Sequence, residues 1–337
     1  MPPMRTPLLL QAFQGTNKEI PVWFMRQAGR YLLSYQAIRK NHSLEEMFQT
    51  PEIAAEVTCL PIKDLDVDAA ILFADILTLP AKMGFHIHFS KENGPRIANP
   101  IRQASDLKSI HNAKEFSEIT KTIKLCRRKL PADIPLIGFA GAPFTVLCYL
   151  IEGGSTVSFT KTLRFMKSQP KTFHEAMKLL TQNTIHYLQA QHKAGIQVFQ
   201  LFDSWGGILR SRDYQEVLPY VRDIFDAVNL PSIYYLKNCS HLLSEMVKSG
   251  ADFLSVCETV DLKNNSLLKK SKKGIQGNFY NGLLYADRAT IEKEVESLMR
   301  AVRPYKKYIF NLSHGVFPDI KVDTLRFIIK KVKSYSR

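Results

Sequence analysis

What most constrains this chain is a regular alternation. Eight short, apolar, β-rich runs recur at residues 21–25, 69–73, 135–139, 196–202, 232–236, 252–256, 274–276 and 308–312, with helix-length amphipathic segments between them. Several runs are continuously apolar rather than alternating, as strands buried on both faces must be. The run 196–202 includes Gln197 and Gln200, which suit a polar barrel interior. Thr50-Pro51-Glu52 predicts a helix start, with a capping threonine, a proline at the first helical position and an acid at the positive end. Segment 171–194 carries Phe173, Met177, Leu180, Ile185 and Leu188 at helical spacing, with Gly195 just beyond. Segments 214–228, 242–248, 291–300 and 324–332 read the same way. Eight strand–helix units predict an α/β fold, a (β/α)8 barrel with its active site at the C-terminal face of the strands. The alternative is a doubly wound open sheet. No repeat, linker or composition break divides the chain, so residues 1–337 read as one domain.

Apolar residues form 45% of the chain and charged residues 23%, which excludes a disordered or fibrous protein. The longest apolar stretch, 136–151, is shorter than the ~20 residues a membrane span needs and contains Pro143, so it reads as a buried strand followed by a helix. The leucine run 8–10 is too short for a signal sequence. The five cysteines form no CxxC pair, and an odd count cannot pair completely. Together these predict a cytoplasmic protein with reduced thiols. The formal charge of +15 draws anions, which could be nucleic acid, anionic lipid or a polycarboxylate. The basic runs 269–273 and 330–333 lack interleaved aromatics and read as solvated faces. No HExxH, Walker A or GxGxxG pattern appears.

The residues that follow the strands carry the functional signal. They are Arg26-Gln27-Ala28-Gly29-Arg30 after the first, Ala74-Asp75 after the second, and Gly141-Ala142-Pro143 with Tyr149 after the third. Asp203-Ser204-Trp205-Gly206-Gly207 follows the fourth, Lys237-Asn238-Cys239 the fifth, Gly277-Asn278 the seventh and Ser313-His314-Gly315 the eighth. In a closed barrel all of these crowd one rim. Taken singly, each loop is explained by ordinary turn chemistry; seven together point to a site. Arg26 and Arg30 are spaced to converge on one anion or on two neighbouring carboxylates. Arg39, further along, reads by itself as part of a solvated helix face. Asp75 lies in an apolar run, where a carboxylate is costly without a partner or a task. It could equally be a helix cap or the partner of Arg26 or Arg30. His314 could exchange protons or donate to an anion.

Residues 21–32, from Pro21 through Arg26-Gln27-Ala28-Gly29-Arg30 to Leu32, resemble the N-terminal signature of the uroporphyrinogen decarboxylase family. Residues 138–145, with Tyr149 and Glu152-Gly153-Gly154, resemble its second signature. The motifs around Asp75, Ser204, Asn278 and His314 match in order and spacing, so the resemblance runs from about residue 6 to the C-terminus. It implies a single barrel domain, a cytoplasmic homodimer in haem biosynthesis, and uroporphyrinogen as the small-molecule substrate. It implies no specific nucleic acid partner and no membrane insertion. The implied reaction converts the four acetate side chains of uroporphyrinogen (III) to methyl groups, giving coproporphyrinogen and four CO2, with no cofactor and no metal. The implied substrate contacts are Arg26, Gln27, Ala28, Gly29, Arg30, Arg39, Asp75, Tyr149, Phe202, Ser204 and His314, with Asp75, Arg26 and Arg30 catalytic.

Decarboxylation needs an electron sink, and a protonated pyrrole can serve as one in place of a cofactor. Asp75 is expected to stay ionised beside flanking arginines and to stabilise the positive ring. An arginine gripping the reacting acetate would stabilise the ground state, so the arginines are expected mostly to hold other carboxylates, with one shuttling a proton. The chain departs from the family pattern at 33–36, at 237–239, at 279–281 (Phe-Tyr-Asn for Leu-Asp-Pro) and at Ser313, where glycine is usual. One rival is a cobalamin- or thiol-dependent methyltransferase on a similar barrel. It needs a His-x-Cys zinc site and a later cysteine, but Lys237 stands at the histidine position and no cysteine follows Cys257. The other rival is a non-catalytic basic binding protein, whose polynucleotide binding would have to survive high salt.

Overall fold

The computed structural model describes residues 6–90 and 94–335. Among the described residues nine strands form: β1 Ala70–Ile71, β2 Ile87–Ser90, β3 Gly94–Ile97, β4 Leu136–Gly141, β5 Val198–Asp203, β6 Ser232–Leu236, β7 Phe253–Ser255, β8 Gly274–Gln276 and β9 Tyr308–Ile309. Seven make one all-parallel curled sheet in the order β1-β4-β5-β6-β7-β8-β9. Helices cover its outer face, as the crossovers between parallel strands require. The architecture is a (β/α)8 barrel. The two remaining strands, β2 and β3, pair antiparallel outside the sheet, with Ile87 opposite Ile97.

The eighth barrel position belongs to residues 21–25, which make an isolated parallel bridge, Val22 to Phe310, instead of a full strand. The reason lies in how their backbone groups are satisfied. Phe310 N donates to Pro21 O at 2.9 Å and Asp68 N donates to Val22 O at 2.8 Å, so the segment touches both open edges. Of its own donors, Trp23 N reaches Phe310 O at 3.4 Å, while three go to side chains: Val22 N to Asp68 Oδ2 at 2.8 Å, Phe24 N to Gln27 Oε1 at 3.1 Å and Met25 N to Asn311 Oδ1 at 3.2 Å. The ring therefore closes through a few backbone bonds supplemented by carboxylate and amide stand-ins, not through a regular ladder.

The basic run 330–333 serves this seam and is not simply solvated. Lys333, on the helix Val322–Lys333, binds Asp66 at 3.1 Å and Asp68 at 3.2 Å, while Lys331 binds Glu292 at 2.6 Å and Glu296 at 3.1 Å.

Inside the barrel, Trp23 Nε1 donates to Gln276 Oε1 at 3.0 Å, and Gln276 Nε2 donates to Gln200 Oε1 at 2.9 Å and to Ser255 Oγ at 3.0 Å. Gln200 thus takes the polar interior place expected of it. Below this layer, Ile137, Val198, Ile233 and Phe253 meet Leu9 and Ala12 of the helix Leu8–Gln14, which packs on the strand starts.

The predicted helices appear as Pro51–Leu65, Pro143–Glu152, Pro170–Ala194, Leu218–Ala227, Leu243–Val247, Arg288–Val302 and Val322–Lys333. One expectation changes. The Thr50 side chain caps nothing, because Thr50 also ends the helix Leu44–Gln49, where its N–H donates to Glu46 O at 2.9 Å. The sequence reading passed over the helices Leu33–Asn41, Ser117–Lys129 and Thr160–Ser168, and the β2–β3 pair. All five cysteines are free, four of them buried. Among the described residues no helix is long and apolar enough to cross a membrane.

Candidate active site

A cavity of about 410 Å³ opens at the carboxyl ends of the strands. Arg26, Asp75, Tyr149, Phe202, Ser204 and His314, drawn from five separate stretches of the sequence, share its wall. Ala28 and Gln27 also border it. The Gln27 side chain, only 1% exposed, is already committed to Phe24 N and to Ala69 O, the latter at 3.0 Å, so it holds the loop in shape.

Gly29, Arg30 and Arg39 stand outside the wall, so the expected convergence of Arg26 and Arg30 does not occur. Arg26 adopts a left-handed backbone at φ 60°, uncommon for a side chain of its size, while Arg30 is exposed and acts with Arg39 on the Tyr35 hydroxyl. Arg39 also donates to His42 O at 2.5 Å. The stem of Arg26 crosses the rim onto Gly315. A Cβ on Gly315 would sit 2.4 Å from Arg26 Cδ and 2.6 Å from Cγ, so only glycine allows this approach.

Asp75 follows β1 and accepts from Leu77 N at 2.8 Å through Oδ1. Burial pushes its pKa above the ordinary carboxylate value; the Leu77 N–H and the Arg26 charge pull it down but do not win. One guanidinium, not the expected two, faces the carboxylate, and burial outweighs its pull. Tyr149 is also raised, first by burial, with the Asp75 charge adding and Ser155 and Trp205 opposing. His314 is pushed down to about 4 by burial and by the charges of Arg26 and Lys237. At neutral pH it is a neutral imidazole with one N–H to donate.

Behind Ser204 lies a fully buried carboxylate, Asp203. It accepts from Thr145 Oγ1 at 2.6 Å, Tyr234 OH at 2.8 Å, Gly206 N at 3.0 Å and Tyr214 OH at 3.1 Å. Thr145 in turn accepts from Trp205 N at 3.0 Å. The turn carrying Ser204 is thereby tied to the helix Pro143–Glu152, which carries Tyr149.

Beyond Tyr149, the sequence reading reached only Phe202 of the aromatic wall. Phe202 packs edge-on to Phe139 at 5.5 Å and against Tyr235 at 5.6 Å, and Phe48 and Phe73 pack at 4.9 Å. Phe139 and Tyr235 lie near the ends of barrel strands, a position that would have flagged them. Phe48 and Pro95 come from elements the reading left unassigned, and no pattern marks them.

A closed parallel barrel with charged, phenolic and imidazole groups gathered at its strand ends defines a barrel enzyme. The family model described as uroporphyrinogen decarboxylase (URO-D) matches residues 4–335. A uroporphyrinogen decarboxylase of Thermodesulfovibrio yellowstonii is 40% identical over 331 residues, covering 97% of each chain. One of Christiangramia forsetii is 37% identical over 339 residues, covering 98% of this chain and 99% of its own. This chain belongs to the uroporphyrinogen decarboxylase family. A solved methyltransferase from Methanosarcina mazei superposes with a TM-score of 0.78 at 16% identity, covering 97% and 98% of the two chains, which speaks to the fold alone.

Proposed function

We propose that this chain is a carboxy-lyase that removes CO2 from the four acetate side chains of uroporphyrinogen (III), leaving methyl groups and giving coproporphyrinogen in haem biosynthesis. Family membership over nearly the whole chain supports the substrate class. The observation that carries the chemistry is the placing of Asp75 and Arg26 on the wall of one cavity at the strand ends.

In each cycle a pyrrole carbon takes a proton and the ring becomes cationic. The bond from the acetate methylene to its carboxylate then breaks, CO2 leaves, and the electron pair enters the ring. The methylene carbon takes a proton and becomes methyl, and the ring proton departs. The net change is one acetate and one proton for one methyl and one CO2. The substrate is its own sink, so neither metal nor organic cofactor is called for. Asp75 faces the pyrrole N–H groups. Its carboxylate is harder to ionise than a free one and gains most when the ring turns positive, which is stabilisation delivered in the transition state. Arg26 holds a carboxylate of the substrate, and Tyr149, Ser204 and neutral His314 orient side chains along the Phe202 wall. Arg30 and Arg39, outside the wall, are left to carboxylates at the mouth.

The same reading carries a homodimer in the cytoplasm; sedimentation of the purified chain at twice the monomer mass is the expected result. The deciding experiment is anaerobic incubation with uroporphyrinogen and a count of carboxylates on the products. Stepwise loss of four is expected, and an unchanged octacarboxylate overturns the proposal.

A further inference from the structure

His314 and Gly315 follow the last barrel strand without a ladder to hold them. A single side chain does so from outside the site. Asn281 opens the short helical turn Asn281–Tyr285 and is 3% exposed. Its Nδ2 donates to Gly315 O at 2.8 Å and to His314 O at 3.1 Å. Its Oδ1 accepts from His314 N at 2.8 Å and from Ser313 Oγ at 3.1 Å. An amide offers two donors and two lone pairs, and all four are spent on three consecutive residues of the rim.

The hold extends further than the loop. Gly315 lies against the Arg26 stem so closely that no Cβ fits between them, and Val316 N donates to Met25 O at 2.9 Å. Moving 313–315 therefore moves the floor under the guanidinium. We infer that Asn281 is a positioning residue for the reaction: it sets where the His314 imidazole stands and, through Gly315, where Arg26 reaches. The inference rests on the reading of this cavity as the decarboxylation site. Asn281 does not line the cavity itself and acts through the backbone it clamps.

The groups that face His314 are Arg26 and Lys237, which oppose its protonation, and Glu258, which favours it. A loosened loop lets the ring gain water and leave Arg26, so its protonation reports its position.

The test uses the full chain with labelled histidine, the His314 signal being assigned by its loss in His314→Gln. In Asn281→Ala and in the near-isosteric Asn281→Leu, the His314 pKa should climb from about 4 toward the ordinary 6.5. Their kcat should fall by about tenfold or more while KM changes less, since orientation rather than binding is lost. Ser313→Ala, which removes one bond of four, should move both readouts the same way by less. It also serves if the Asn281 variants fold poorly. A His314 titration unchanged in all three variants overturns the inference, as does an activity loss with no change in that titration. If the parent enzyme decarboxylates nothing, the functional reading fails instead, and the titration still decides whether Asn281 places His314.

Discussion

Two titrating groups in the cavity are displaced in opposite senses, and each leaves a signature. Asp75 has a raised pKa in the fold, so the folded chain gives up this proton less readily than the unfolded chain, and its ionisation costs stability as pH rises through that titration. Asp75→Asn removes that cost. We expect turnover to drop at least ~100-fold while the melting temperature at neutral pH stays level or rises, the usual trade at a strained site. Parallel activity and melting measurements check it, and near-normal turnover would remove Asp75 from its role. His314 behaves in reverse. Its folded value near 4 lies below the ordinary 6.5, so the unfolded chain binds the proton first and stability falls as pH drops from about 6.5 through 4. His314→Gln should flatten that part of the melting-temperature profile relative to the parent chain.

Among the elements, the seam of residues 21–25 is where the barrel has least regular backbone pairing and most reliance on side chains. Gln27 supplies an acceptor to Phe24 N and a donor to Ala69 O. Gln27→Leu keeps the volume and strands both backbone groups, which should cost about 2–4 kcal/mol. The check is a lower denaturant midpoint at unchanged slope. The alternation that announced the barrel could not announce this seam, because 21–25 has a strand's composition but, beyond the backbone of Phe310, finds its acceptors in the side chains of Asp68, Gln27 and Asn311. The β2–β3 pair was legible in principle. Phe85, Ile87 and Phe89 alternate with His86, His88 and Ser90, a period-2 signal that the search for buried strands passes over.

At the level of the whole molecule, the formal charge of +15 meets a substrate proposed to carry eight carboxylates. Part of that charge is occupied, as Lys331 and Lys333 show. The remainder should steer an anion, so kcat/KM should fall severalfold on raising ionic strength from about 0.01 to 0.15 M, as the Debye length shrinks from roughly 30 to 8 Å. A salt-independent kcat/KM would assign the charge to solubility alone.

The amino-acid sequence alone determined that apolar runs alternate with helices eight times and that polar, glycine-rich loops follow the strands. Those features are local, and burial and turn chemistry dictate them one segment at a time. The family signatures lie in the same loops. Which loop residues meet was decided only in three dimensions. Arg26 and Arg30 look equivalent four residues apart, yet a left-handed backbone at Arg26 and the bare face of Gly315 send one across the cavity, while the other stays outside the wall. The protonation of Asp75 and His314 likewise depends on how much water and which charges surround them, and the folded chain alone fixes those surroundings.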